Sequence, residues 1–150
     1  MAQDFADRVT VVLPSLNPDE KLQKTVDALL SVGFTDIVIV NDGSREDCLK
    51  FFPSAGEHIT ILTHEVNRGK GAALKTAFRY VLGNRPDSLG VVTADGDGQH
   101  TAKDVRRCAE EMLDGGDRVV FGCRDFSLPQ VPRRSRMGNR ITSAVFRIFC

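Results

Sequence analysis

The residues best suited to chemistry are the carboxylates of Asp95-Gly96-Asp97, two positions apart and followed by Gln99 in a loop that Gly96 and Gly98 make permissive. Hard divalent cations take oxygen ligands and fill their remaining positions with water or substrate phosphate, so this triplet suits Mg2+ or Mn2+. On composition alone, two Asp around a Gly read as a turn. Position changes that reading. The triplet follows the apolar run Leu89 to Ala94, and four comparable runs each hand over to a polar loop: Pro14-Ser15-Leu16-Asn17, Asn41-Asp42-Gly43-Ser44, Asn67-Arg68-Gly69-Lys70-Gly71 and Cys123-Arg124-Asp125. Two carboxylate loops beside two cationic loops predict a site for a phosphorylated ligand bridged by a divalent metal.

Several familiar motifs fail at these loops. Gly69-Lys70-Gly71 lacks the earlier glycine of a P-loop and has Gly where Ser or Thr would hold magnesium, and it does not extend to GxGxxG. An EF-hand starting at Asp95 would need Gly at His100 and a bidentate Glu at Arg106. The chain has no GxSxG elbow and no HExxH.

The elements that must position these loops are visible in the apolar pattern. Short β-branched runs at Val9 to Leu13, Ile37 to Val40, Ile59 to Leu62, Leu89 to Ala94 and Val119 to Gly122 read as strands covered on both faces. Between them, Leu22, Val26, Leu29 and Leu30 recur at helical spacing. So do Ala73, Leu74, Ala77, Phe78, Val81 and Leu82, and then Val105, Cys108, Ala109 and Met112, all read as core faces. Asn17-Pro18-Asp19-Glu20 predicts an N-cap with proline at the first helical position, while Ser44-Arg45-Glu46-Asp47 and Thr101-Ala102-Lys103-Asp104 are capping-box variants. Alternating strands and helices predict a mostly parallel α/β sheet, and ligands of such sheets bind beyond the carboxyl ends of the strands.

The 150 residues suffice for one domain with its own core, without disulfides or a structural metal. Cys48, Cys108, Cys123 and Cys150 form no CxxC or zinc pattern, and reduced cytosolic thiols are expected. No apolar stretch approaches ~18 residues and only a short start precedes the first strand, so a cytoplasmic protein is expected. The formal charge is zero, which argues against general nucleic-acid binding, yet it is an average. Residues 1–123 hold 14 basic and 19 acidic side chains, whereas residues 124–150 hold six Arg and one Asp. The expected division is therefore an acidic α/β body over residues 1–124 and a basic loop and amphipathic helix over residues 125–150.

Taken in order, Leu13-Pro14-x-x-Asn17, Val40-Asn41-Asp42-Gly43-Ser44, Asn67-x-Gly69-Lys70-Gly71-x-Ala73, Asp95-x-Asp97-x-Gln99-His100 and Gly122-x-Arg124 resemble the inverting family 2 glycosyltransferases of GT-A (Rossmann-like) fold. The set is most similar to the dolichol/polyprenyl-phosphate sugar transferases, with Ser135-Arg136-x-x-Asn139 adding to the likeness. The resemblance implies that the body over residues 1–124 binds a nucleotide-sugar, through Pro14, Leu16, Asn17, Val40, Asp42, Lys70, Asp95, Gly96, Asp97 and Arg124. It implies Asp95, Asp97 and Gln99 as metal ligands for Mg2+ or Mn2+, with Asp97 and Arg124 catalytic. Arg133, Arg134 and Arg136 would meet an acceptor phosphate. Leu16 stands where the family commonly has an aromatic, and Pro18 where it usually has Glu. Asn17 and Ser44 are equally explained as N-caps, Gly69 and Gly71 as turn glycines and Lys70 as a solvated helix-start residue.

The chemistry implied by the resemblance is transfer from a UDP-sugar or GDP-mannose, with cation and arginine stabilising the charge on the departing diphosphate. A hydroxyl acceptor needs a general base, whereas an already ionised polyprenyl phosphate does not. The partners implied are the donor, a lipid-phosphate acceptor, the cytoplasmic membrane face and a second copy through the C-terminal helix. The alternatives are a non-catalytic nucleotide-sugar-binding module and a scaffolding domain, because family members continue past the Arg-rich segment with acceptor-side and membrane-anchoring regions.

Overall fold

In the computed structural model, residues 8–116 and 119–122 are described. Strands β1 (Val9–Ser15), β2 (Ile37–Asp42), β3 (Ile59–His64) and β4 (Gly90–Thr93) form one sheet in the order β3-β2-β1-β4, and every pairing is parallel. Helices α1 (Glu20–Ser31), α2 (Lys70–Asn84) and α3 (Ala102–Asp114) connect or follow the strands, with a short 3-10 helix at Glu46–Phe51.

The period of two along a strand divides each central run between two cores. Val9, Val11 and Leu13 of β1, with Ile37 and Ile39 of β2, pack with Leu22, Val26 and Leu29 of α1 and Val105 and Ala109 of α3. Val12, Val38 and Val40 point the other way, onto Ala73, Ala77 and Val81 of α2. Both faces being covered is why the runs are continuously apolar instead of alternating. Burying each of these Val, Ile and Leu side chains contributes roughly 1.5–3 kcal/mol. Pro14 is tolerated in a central strand because the β1–β4 ladder ends at Val12↔Thr93, short of the position where proline's missing N–H would matter.

Several expectations are corrected. Helix α1 starts at Glu20 and is capped by Asp19, whose side chain accepts from Lys21 N, so Asn17 is not its cap. The Ser44 segment leads into the 3-10 helix, with no side-chain cap. Thr101 does cap α3, accepting from Asp104 N. Residues 119–122 carry no strand, and Val119 and Phe121 remain about four-fifths exposed; an apolar run becomes a strand only where a neighbouring ladder satisfies its backbone. On α2 the buried set is Ala73, Ala77 and Val81, while Phe78 and Leu82 are exposed, because a helix lying on one sheet can present only one stripe to it. The expected basic helix at residues 125–150 lies outside the described residues.

The strand-end loops depend on one close approach. Gly43 has φ +70°, and a Cβ placed there would come within 2.3 Å of the Val66 carbonyl carbon and Asn67 N. Gly43→Ala is therefore expected to destabilise the protein by at least ~1–3 kcal/mol, from the left-handed conformation and the backbone clash together. Chemical denaturation checks this, and an unchanged midpoint would disprove the contact.

Candidate functional site at the carboxyl edge of the sheet

Four loops meet beyond the carboxyl ends of the strands, and side chains tie them to one another. Asn17, at φ 49°, donates its N–H to Ser44 Oγ (2.9 Å) and accepts from Arg45 N through Oδ1 (2.8 Å), so it fastens the β1 loop to the β2 loop. Asn41 Oδ1 accepts from Ser44 N (2.9 Å) and closes the β2 loop on itself. Pro14 is half-buried and Leu16 is exposed at the rim, whereas Val40 is buried under α2 and supports the site through the strand.

Asp42 links the β2 end to the β3–α2 turn. Its side chain is almost fully buried; Oδ1 accepts from Arg68 N (2.9 Å) and from His64 Nδ1–H (2.7 Å), and Oδ2 accepts from Gly69 N (2.8 Å). His64 is buried too, and its Nε2 lies 2.9 Å from Thr76 Oγ1 on α2. Burial by itself pushes the Asp42 carboxyl up, but the hydrogen bonds from His64, Arg68 and Gly69 and the charge interaction with His64 outweigh it and hold it below the usual carboxylate range. Both Asp42 oxygens thus anchor the N-terminal turn of α2. Neither His64 nor Thr76 stood out in the sequence. The available signal was register, since the β2–β3 ladder pairs Asp42 with His64 and brings the two polar strand ends side by side.

That turn sets Lys70 at the first position of α2, from where Nζ reaches Asp95 Oδ1 at 2.5 Å. With side chains 61% and 38% exposed, the pair contributes at most ~1 kcal/mol to stability; its interest is that a cation already sits on this carboxylate. The Asp95 loop lies close over β1, because a Cβ on Gly96 would meet Leu22 Cδ1 at 2.7 Å and Ser15 Oγ at 3.2 Å. Asp97 Oδ1 accepts from Gln99 N (2.9 Å), and His100 Nδ1 accepts from Asp95 N (3.2 Å).

The structure thus brings Asp95, Gly96, Asp97, Gln99 and Lys70 into one loop cluster against Ser15 and Leu22, and Asp42 holds the turn that carries Lys70. Arg124, Arg133, Arg134 and Arg136 lie outside the described residues. Among the described residues no three His, Cys, Asp or Glu side chains converge as a closed metal centre. The all-oxygen pair Asp95 and Asp97, each with its second carboxylate oxygen unbonded among the described residues, fits a hard cation that completes its shell with water and phosphate.

Comparison with known proteins agrees with this architecture. The family model described as Glycosyl transferase family 2 matches residues 10–148. Glycosyltransferase AglJ of Haloferax volcanii is 26% identical, over 93% of this chain and 44% of its own length. A UDP-N-acetylglucosamine–dolichyl-phosphate N-acetylglucosaminyltransferase of Methanococcus voltae is 23% identical, over 90% of this chain and 61% of its own. An undecaprenyl-phosphate 4-deoxy-4-formamido-L-arabinose transferase of Pseudomonas paraeruginosa is 31% identical, over 79% and 36%. The chain spans about half the length of the curated relatives it matches. Among solved structures, Rv0371c of Mycobacterium tuberculosis, in complex with manganese, superposes with a TM-score of 0.52 at 21% identity, over 71% of this chain and 60% of its own, a likeness of fold.

The buried carboxylate makes a pH-dependent prediction. Because its folded pKa is lowered, the stability Asp42 contributes is complete above the ordinary carboxylate range, ~3.9, and is lost as pH falls through the lower folded value. Asp42→Asn is expected to cost about 1–3 kcal/mol at neutral pH, since an amide NH2 cannot accept from a backbone N–H, and to flatten that acid dependence. Urea unfolding of both proteins between pH 3 and 7 measures it; parallel stability curves would refute the assignment.

Proposed function

We propose, from the premise that this chain belongs to glycosyl transferase family 2, that it moves a sugar from a nucleoside-diphosphate donor, a UDP-sugar or GDP-mannose, to polyprenyl phosphate with inversion at the anomeric carbon. The observation that carries this reading is the Lys70–Asp95 contact at the carboxyl edge of a parallel sheet, with Asp97 in the same loop. Departure of a nucleoside diphosphate develops negative charge, and this edge supplies the groups that meet it: a cationic side chain, two carboxylates for a divalent ion, and the N-terminal end of α2. The relatives named for dolichyl-phosphate and undecaprenyl-phosphate transfer support the acceptor class.

Each residue has a role in this reading. Asp95 and Asp97, assisted by Gln99, hold Mg2+ or Mn2+, which supplies Lewis-acid stabilisation of the diphosphate when bound. Lys70 exchanges its contact with Asp95 for a donor phosphate. Pro14, Leu16 and Asn17 border the nucleoside, and Asp42 keeps the α2 turn in place beneath it. With Asp97, Arg124 serves as a catalytic group that stabilises charge on the leaving diphosphate, and Arg133, Arg134 and Arg136 serve the acceptor phosphate. An ionised phosphate attacks without a general base, which suits a loop whose carboxylates are engaged with the donor. Residues 1–124 form the donor domain and residues 125–150 begin the acceptor side, at the cytoplasmic membrane face. No described helix is long and apolar enough to cross a membrane.

Calorimetric titration with UDP-N-acetylglucosamine, UDP-glucose and GDP-mannose, with Mn2+ or with chelator, tests the donor site. Binding to at least one donor is expected to require the metal and to weaken tenfold or more in Asp97→Ala. Failure of every donor to bind, or binding indifferent to Asp97→Ala, would sink the reading. Donor binding without sugar transfer to polyprenyl phosphate would instead favour a non-catalytic donor-binding module.

A further inference from the structure

Helix α2 differs from its neighbours in charge. In α1, Lys24 pairs with Glu20 (3.3 Å), and in α3, Arg106 pairs with Glu110 (2.8 Å), each one turn apart. From Lys70 to Asn84, α2 contains no carboxylate, and Lys75 and Arg79 stand one turn apart with no ion pair among the described residues. Like charges at this spacing destabilise a helix. With Arg68, Ala72 and Thr76 they line a cavity of about 290 Å3 that has no acidic wall. On the same outward side Phe78 is 39% exposed and Leu82 85% exposed, although an i, i+4 apolar pair would ordinarily be buried.

Cations around a concavity beside exposed apolar side chains complement a surface carrying anionic phosphates above hydrocarbon. We propose that the outward face of α2 docks on an anionic lipid surface, with headgroup phosphates in the cavity lined by Arg68, Lys75, Thr76 and Arg79, and with Phe78 and Leu82 at the acyl boundary. A folded protein partner would not need unpaired cations in a cavity, and a free phosphate would not need exposed Leu82. This face is separate from the Asp95–Asp97 cluster and is independent of the donor chemistry. Its opposite lies across the sheet, where α1 and α3 pack.

The 150 residues contain no tryptophan, so Leu82→Trp installs a single reporter in them. Its emission is expected to shift to the blue on adding phosphatidylglycerol vesicles and to stay unchanged with phosphatidylcholine vesicles. Leu49→Trp, on an exposed side chain of the 3-10 helix, is expected to stay unchanged with both. Sedimentation with phosphatidylglycerol vesicles should fall at least about tenfold in Arg68→Gln/Lys75→Gln/Arg79→Gln. The fall should be several-fold smaller in Lys21→Gln/Lys24→Gln/Lys50→Gln, which removes the same charge elsewhere. Equal loss in the two triple variants, or no loss in the first, would overturn the proposal. So would an unshifted Leu82→Trp signal, a shift of equal size with phosphatidylcholine, or a shift that grows with protein concentration without vesicles.

Discussion

The Asp42 carboxylate is the constraint on which the rest of the carboxyl edge depends. It is buried at the end of β2, and it holds the Arg68 and Gly69 amides together with His64. A buried charge is tolerated only when its hydrogen-bonding capacity is met, and here two backbone amides and an imidazole meet it. The chain therefore turns into α2 at a fixed place. Lys70, the first residue of that helix, consequently reaches Asp95 across the sheet.

A second set of constraints works through space. Gly43 lets the β2 loop touch the backbone before α2, and Gly96 lets the Asp95 loop lie against Ser15 and Leu22. Asn17 bridges the first two loops with its backbone N–H and side-chain oxygen. These contacts cost little to make and much to displace, which suits loops that must hold polar groups at set distances. The parallel sheet beneath provides rigidity, since β1 and β2 are packed on both faces.

The same helix serves two faces differently. Its small residues Ala73 and Ala77 meet the sheet, and its first turn meets Asp95. Its outer face carries Lys75 and Arg79, without ion pairs among the described residues, and exposed Phe78 and Leu82. The periodicity alone assigns all the apolar positions of α2 to a core, because counting residues at helical spacing cannot tell how much of the helix circumference a single sheet covers.

Strand runs, helix periodicities and the order of loop motifs are local properties, and they were legible in the chain alone. β-branched runs and the Thr101 cap carry their own physical signature, and five motifs in order pointed to the family that the match over residues 10–148 shows. The cap of α1 and the partners of buried polar groups were not legible in the same way. Asp19 takes the capping role expected of Asn17 because Asn17 is committed to Ser44 and Arg45, 27 and 28 residues away. His64 becomes the partner of Asp42 only through the register of two parallel strands. Residues 119–122 have a strand's composition without a ladder. The sequence by itself determined the four strands and three helices of the described residues and which residue types collect at their ends. Tertiary structure decided which polar group satisfies which, because a hydrogen bond is made across space to the nearest unsatisfied partner and not along the chain.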